Sequence, residues 1–341
     1  MNKPDNNSRR EFLKKMAAAA TVATVVSPIE LLSGCTTKGS AGMPLRPLGK
    51  TGHMVGIYSL GAQATVETPG KEELAFDIIN RAIDLGINYI DTAAAYGRSA
   101  PSIPRSEAMG TSERNVGKVM KTRREEVFLS SKTHDRTYDG SMRLLEQSLK
   151  NLQTDYLNLW QVHNLRASEK ENIDNYFADG GVVKAMEKAR DEGMVKNIGF
   201  TGHEDPEILT MMAERYDFDN VLVAINAADK HYNSMIENFL PVAVEKEMGI
   251  VGMKIPARDR IFDHGGIISM KEAMDYVMTL PVSTIVVGID EIAELEENIK
   301  IAREFQPLNT EELLAIEDKA KPHYEHLQFF KDGIGDWPAE W

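Results

Sequence analysis

From Met43 onward the chain alternates between short apolar runs and longer amphipathic segments. The apolar runs cover residues 55–60, 87–91, 127–131, 156–162, 196–201, 221–225, 250–254 and 284–288, and most are continuous rather than strictly alternating. That texture predicts parallel strands buried on both faces. Between them, residues 71–85 place Leu74, Ala75, Ile78, Ile79, Ala82 and Ile83 on one helical side and stop before Gly86, which suits a helix C-terminus. Segments 112–121, 141–152, 182–192, 206–216, 236–247, 270–280 and 292–305 repeat the helical spacing, with Ser112 and Ser141 as expected N-caps.

Eight strand–helix units of this kind imply a parallel sheet with right-handed crossovers that closes on itself, a (β/α)8 TIM barrel. Residues 44–54 contain a turn and predict a hairpin across the barrel floor. A capped helix over 310–320 follows the last unit, and then an aromatic tail with Tyr324, Phe329, Phe330, Trp337 and Trp341. The expected organisation is an N-terminal segment 1–42, a barrel 43–320 and a tail 321–341 packing on it. A doubly wound open sheet is the rival, but the chain is long on strands for it and lacks a Gly-rich turn after its first strand.

The N-terminal segment reads as an address. Arg9-Arg10 precede Phe12-Leu13-Lys14 and an apolar stretch over residues 16–26, shorter than the ~20 residues a membrane span requires. The arrangement resembles a twin-arginine export signal. Leu32-Ser33-Gly34-Cys35 resembles a lipoprotein processing box, which would leave the mature chain anchored in the cell envelope through a lipid on Cys35; otherwise it is an exported, periplasmic protein. Proteins sent by the twin-arginine route cross the membrane folded, often with a cofactor already bound.

Composition narrows the class. A net charge of -13 over 341 residues argues against a nucleic-acid or anionic-membrane surface. A single cysteine excludes a disulfide framework and a thiolate metal cluster.

Functional side chains of a β/α barrel gather at the carboxyl ends of its strands. The second predicted strand runs into Asp91-Thr92-Ala93-Ala94-Ala95-Tyr96, the third ends Ser131-Lys132, and the fourth ends Val162-His163. Reducing a carbonyl with hydride makes an alkoxide that must be protonated as it forms. A tyrosine can supply that proton if a neighbouring lysine lowers its pKa from the free value of about 10. An aspartate paired with the lysine keeps it charged, and a neutral histidine can hold the carbonyl oxygen. Asp91, Tyr96, Lys132 and His163 provide one of each. His134 and His203 lack a carboxylate or cysteine partner at ligand spacing, so no metal site is expected.

Asn88-Tyr89-Ile90-Asp91-Thr92-Ala93 through Tyr96-Gly97, Ser112-Glu113 with Gly117, and residues 154–159 running into His163 together resemble the aldo-keto reductase superfamily. The similarity extends from about Leu45 to about Ala320. It implies a barrel with a nicotinamide dinucleotide extended across its top, a small-molecule carbonyl substrate, and the same four residues as a catalytic tetrad with tyrosine as general acid. It also implies cofactor contacts from Thr201, Asn226, Lys254, Gly288, Glu294, Glu297 and Asn298.

This chain departs from the family pattern on that cofactor side. Thr201-Gly202 stands where a Ser-Asn pair usually grips the carboxamide, Leu222 stands for the usual Gln, and Ile225 or Ala227 replaces the aromatic platform. No basic residue lies between Gly288 and Asn298, whereas Asp290, Glu291, Glu294, Glu296 and Glu297 are acidic. A 2′-phosphate would be repelled unless Lys300 or Arg303 reaches back, so NAD(H) stays open beside the family-typical NADP(H). A non-catalytic nucleotide-sensing barrel is the alternative function, and a metal-dependent hydrolase is a remote one.

Overall fold

The computed structural model describes Gly39 and residues 42–99, 103–263 and 266–334. The export motif, Cys35, Trp337 and Trp341 lie outside these residues. Eight parallel strands close into a barrel, each beside its neighbour in chain order and the last beside the first. They are β3 (Tyr58–Ala64), β4 (Tyr89–Asp91), β5 (Phe128–Thr133), β6 (Leu157–Leu165), β7 (Val195–Gly202), β8 (Asn220–Ala224), β9 (Gly249–Met253) and β10 (Thr284–Ile289). Helices alternate with them, so the architecture is the (β/α)8 barrel that the pattern predicts. Every residue of β6 and β8 is buried, as continuous apolar runs in a doubly covered sheet require.

The first predicted strand is displaced. Residues 54–56 form β2, which pairs antiparallel with β1 (Leu45–Pro47), and the barrel strand begins only at Tyr58. Leu48 and Val55 pack with Tyr89, Phe128 and Leu159 in the inner cluster, so the hairpin plugs the amino-terminal mouth.

Neither expected serine cap is a cap. Ser112 lies inside the helix Thr111–Arg123, where its hydroxyl bonds Ala62 O at 2.5 Å and Thr92 Oγ1 at 2.7 Å. Ser141 lies inside Tyr138–Leu152, whose cap is Thr137 accepting from the Gly140 amide. A buried serine gains more from stitching a helix to strand ends than from its own helix terminus. The segment 236–247 is also interrupted: Met235–Asn238 and Leu240–Glu245 are separate helices, and Pro241 stands in the first turn of the second. Proline has no amide to continue the first helix.

Gly117 is where the helices Thr111–Arg123 and Tyr138–Leu152 approach most closely, since a β-carbon there would meet Asn151 O at 2.1 Å. Residues 321–334 fold back over the barrel, and Phe330 enters the inner cluster beside Leu222 and Met253.

Candidate active site

The ends of β4, β5 and β6 bring four polar side chains into one wall. Asp91 is the last residue of β4, Lys132 is the fifth of β5 and His163 the seventh of β6; all three are buried. Tyr96 comes from the turn after β4, and that turn is fixed by backbone bonds. Thr92 N donates to Ser130 O at 3.0 Å, Tyr96 N to Ala93 O at 3.0 Å, and Arg105 clamps the carbonyls of Ala95 and Gly97. Gly97 admits nothing larger, because a β-carbon would sit 1.8 Å from Ala108 O.

Lys132 Nζ is the hub. It lies 2.5 Å from Asp91 Oδ2, 2.8 Å from Thr92 O and 3.0 Å from Tyr96 OH. Its ammonium also sits 4.4 Å from the centre of the Tyr96 ring. Gln161 Nε2 approaches Asp91 Oδ1 at 3.5 Å and Ser130 Oγ at 2.6 Å, steadying the carboxylate. Behind them Glu113 accepts from Ser131 Oγ at 2.7 Å. The His163 ring meets Tyr96 edge to face at 5.6 Å, and Trp160 on the same strand is a core residue.

Burial dominates the electrostatics. It pushes the Asp91 carboxyl up and the Lys132 ammonium down, while their mutual attraction opposes both shifts. His163 is held well below its ordinary value by burial, then by Lys132, His203, His134 and Arg136, so the ring is neutral near pH 7. Tyr96 moves in the direction opposite to the sequence expectation. Burial and the nearby carboxylates Asp91 and Glu67 raise the phenol well above its free value. Burial is the largest cause, and the negative field of Asp91 adds to it, with only Arg258 opposing. The resting site therefore holds a protonated tyrosine and a neutral histidine.

Above this wall opens a cleft of about 390 Å³. Its lining includes Tyr96 and Asp91, Gly288 and Asp290, and Lys254, Pro256, Arg258 and Asp259. Lys254 carries a positive φ of 62°, and Ala257, Arg258 and Asp259 follow at 49°, 56° and 66°. Non-glycine residues seldom adopt this region, and a run of them stores strain at the rim of the site. Burial lowers the Lys254 ammonium to about 7.

The remaining expected cofactor residues are differently placed. Thr201 Oγ1 accepts from the Asn164 amide at 2.7 Å. Asn226 Oδ1 accepts from Gln328 Nε2 at 2.6 Å and from Ala228 N at 3.0 Å, tying β8 to the C-terminal segment. Neither lines the cleft. Glu294 caps its own helix by accepting from the amide of Asp290 at 2.9 Å. Glu297 is exposed, whereas Asn298 is buried and donates to Tyr58 OH at 3.3 Å. Arg303 is spent on Leu85 O at 2.8 Å. Two cleft residues were not singled out by sequence, Gln63 and Glu67. Gln63 is the sixth residue of β3, and Glu67 sits in the turn after that strand, which has no periodicity to mark it. Among the described residues, no group of three His, Cys, Asp or Glu side chains is set to hold a metal ion.

A closed parallel barrel thus carries Asp91, Tyr96, Lys132 and His163 together at the ends of three adjacent strands. The family model described as Aldo/keto reductase matches residues 54–258, and the chain belongs to that family, a family of oxidoreductases. Among its relatives is an uncharacterized oxidoreductase, YqkF, of Bacillus subtilis (strain 168), 24% identical over 313 residues that cover 78% of this chain and 92% of that protein. L-galactose dehydrogenase of Arabidopsis thaliana is 24% identical over 308 residues, covering 79% and 91%. Among solved structures, the holo form of aldo-keto reductase AKR11C1 from Bacillus halodurans superposes with a TM-score of 0.67 at 22% identity, covering 82% of this chain and 97% of that one. An aldo-keto reductase from Klebsiella pneumoniae in complex with NADPH gives 0.65 at 22% identity, covering 81% and 95%.

Proposed function

We propose that the protein reduces an aldehyde or ketone with a nicotinamide dinucleotide, or oxidises the corresponding alcohol, with Tyr96 as the general acid. The observation that carries this reading is the 3.0 Å contact of Lys132 Nζ with Tyr96 OH beside its 2.5 Å contact with Asp91. When bound, the reduced nicotinamide supplies the hydride. Tyr96 gives its proton to the carbonyl oxygen, and Lys132 stands beside the phenolate that this leaves. Asp91 keeps Lys132 charged and in place. Neutral His163 holds the carbonyl oxygen in line with the phenol. Tyr96 is then reprotonated from solvent. In the oxidative direction the phenolate takes the proton of the alcohol.

The cleft's donor set suits a dinucleotide. Lys254 and Arg258 line it together with Tyr96 and Gly288 and offer cationic donors for the diphosphate. The NADPH of the Klebsiella relative supports this class of cofactor. Either NAD(H) or NADP(H) is compatible with the family, and the acidic turn after β10 favours the form without a 2′-phosphate.

Export by the twin-arginine route, with or without a lipid on Cys35, is part of the same proposal and rests on residues 8–35 alone. The test is to mix the purified chain with NADH or NADPH and a panel of carbonyls. Stoichiometric dinucleotide oxidation and alcohol formation are expected. Tight dinucleotide binding with no turnover across the panel contradicts the reading and favours a non-catalytic binding role.

A further inference from the structure

The 3-10 turn Thr65–Glu67 after β3 is built with care for a segment that carries no part of the acid-base set. It starts from Ala64 at φ 58° and ψ -123°, a conformation that residues other than glycine rarely hold. Asn115 Nδ2 anchors the turn by donating to Val66 O at 3.0 Å, and Thr68 Oγ1 closes it on Ala64 O at 2.7 Å. This scaffold delivers Glu67 into the wall of the cleft that Tyr96 also lines. The residue is 1% exposed, yet its Oε2 has no hydrogen-bond partner among the described residues. Its Oε1 lies 3.9 Å from Arg98 Nη2, and Arg98 N donates to Glu67 O at 2.9 Å. Arg98, two residues beyond Tyr96, keeps its side chain 54% exposed and also lines the cleft.

A buried carboxyl oxygen without a donor is destabilising, and strain at Ala64 adds to that cost. Burial pushes the Glu67 carboxyl up, and Arg98, then Arg258, Gln63 and Arg105, oppose it, so the group is more than a counter-ion for Arg98. The unfilled acceptor is instead explained by a ligand that brings its own donor into the cleft, with the adjacent guanidinium able to donate to the same ligand oxygen. A hydroxyl group is the chemistry that both accepts and donates in this way.

We propose that the Glu67–Arg98 pair determines specificity by binding a substrate hydroxyl close to the reacting carbonyl, so that hydroxy-aldehydes and hydroxy-ketones are preferred over their deoxy counterparts. This rests on the carbonyl-reduction reading above. Sites built to bond a substrate hydroxyl discriminate against analogues lacking it far more strongly than apolar pockets discriminate by size.

The test compares glycolaldehyde with propanal, which have equal numbers of heavy atoms, using the full chain with the dinucleotide it binds. Because glycolaldehyde is intrinsically the more electrophilic, the readout is the ratio of the two kcat/KM values in each variant relative to that in the wild type. Glu67→Leu is expected to lower the ratio by about 10- to 100-fold. Glu67→Gln is expected to lower it less, since an amide oxygen still accepts, and Arg98→Met falls between them. A ratio that shifts by less than about twofold in Glu67→Leu and Arg98→Met overturns the proposal while leaving carbonyl reduction intact. Should Glu67→Leu fail to fold in a thermal melt, an unchanged ratio in Glu67→Gln and Arg98→Met overturns it equally. Dinucleotide binding with neither aldehyde reduced by the wild type overturns both readings.

Discussion

At the ends of β4, β5 and β6 the polar side chains meet one another at the cleft, whereas at the ends of β7 and β8 they are engaged by other parts of the chain. On the first side, Lys132 contacts Asp91, Thr92 and Tyr96 within 3.0 Å. On the second, Thr201 serves the Asn164 amide and Asn226 is clasped by Gln328 of the C-terminal segment. That segment is itself pinned by the fully buried pair of Lys331 and Asp229 at 2.8 Å. The first half is thus assembled at neighbouring strand ends, whereas in the second Asn226 leans on a residue remote in sequence. Under the proposed roles, acid-base chemistry for the first half and dinucleotide binding for the second, substitutions should divide accordingly.

The largest effect is expected on the acid-base side. Lys132→Met should lower kcat/KM by about 10²- to 10⁴-fold, and by leaving Asp91 buried without its partner it should cost about 3–5 kcal/mol in urea unfolding. A turnover loss below tenfold would break the distinction between the halves. Lys331→Met should cost up to a similar amount, about 3 kcal/mol, by removing the cation from buried Asp229, which keeps its bonds from Ser234 Oγ and Ile236 N. Its kcat at saturating dinucleotide should nevertheless stay within a few-fold of the wild type. A collapse of kcat to the Lys132→Met level would show the halves to be one unit.

A smaller, pH-dependent effect is expected at Lys254. With its ammonium lowered to about 7, the charge is present below that pH and lost above it. NADH, whose diphosphate does not titrate in this range, should bind more weakly as pH rises from 6 to 8. The weakening is at most about tenfold per unit, the limit for one linked proton. Fluorescence titration should find that slope flattened in Lys254→Met, and an unaltered slope would remove Lys254 from the diphosphate site. The smallest effect concerns the adenosine end. Asp290, Glu291, Glu294 and Glu296 should make NADPH bind no tighter than NADH at low salt, with the gap narrowing as salt screens the repulsion. Tighter NADPH binding would mean that a cation reaches the turn despite Arg303 being held by Leu85 O.

The barrel was legible because burial on both faces writes continuous apolar runs into most of its strands, and the meeting of Asp91, Lys132 and His163 because those three sit at strand ends, with Tyr96 in the turn after β4. Errors arose where tertiary contacts override local preference. Val55 belongs to the hairpin because it fills the barrel floor with Leu48, and Ser112 stitches rather than caps because Ala62 O lies in reach. Glu67 left no mark in the pattern, since a single acid in a turn reads as solvated until the fold buries it. The field at Tyr96 was equally hidden. Its direction is set first by burial, then by Asp91 and by Glu67 arriving from another turn.

The central claim is that Tyr96 delivers the proton. Tyr96→Phe, assayed for carbonyl reduction with the dinucleotide dissociation constant measured on the same sample, tests it most directly. A fall in kcat/KM of about 10²- to 10⁴-fold with dinucleotide affinity unchanged is the predicted result. Turnover equal to the wild type would contradict it.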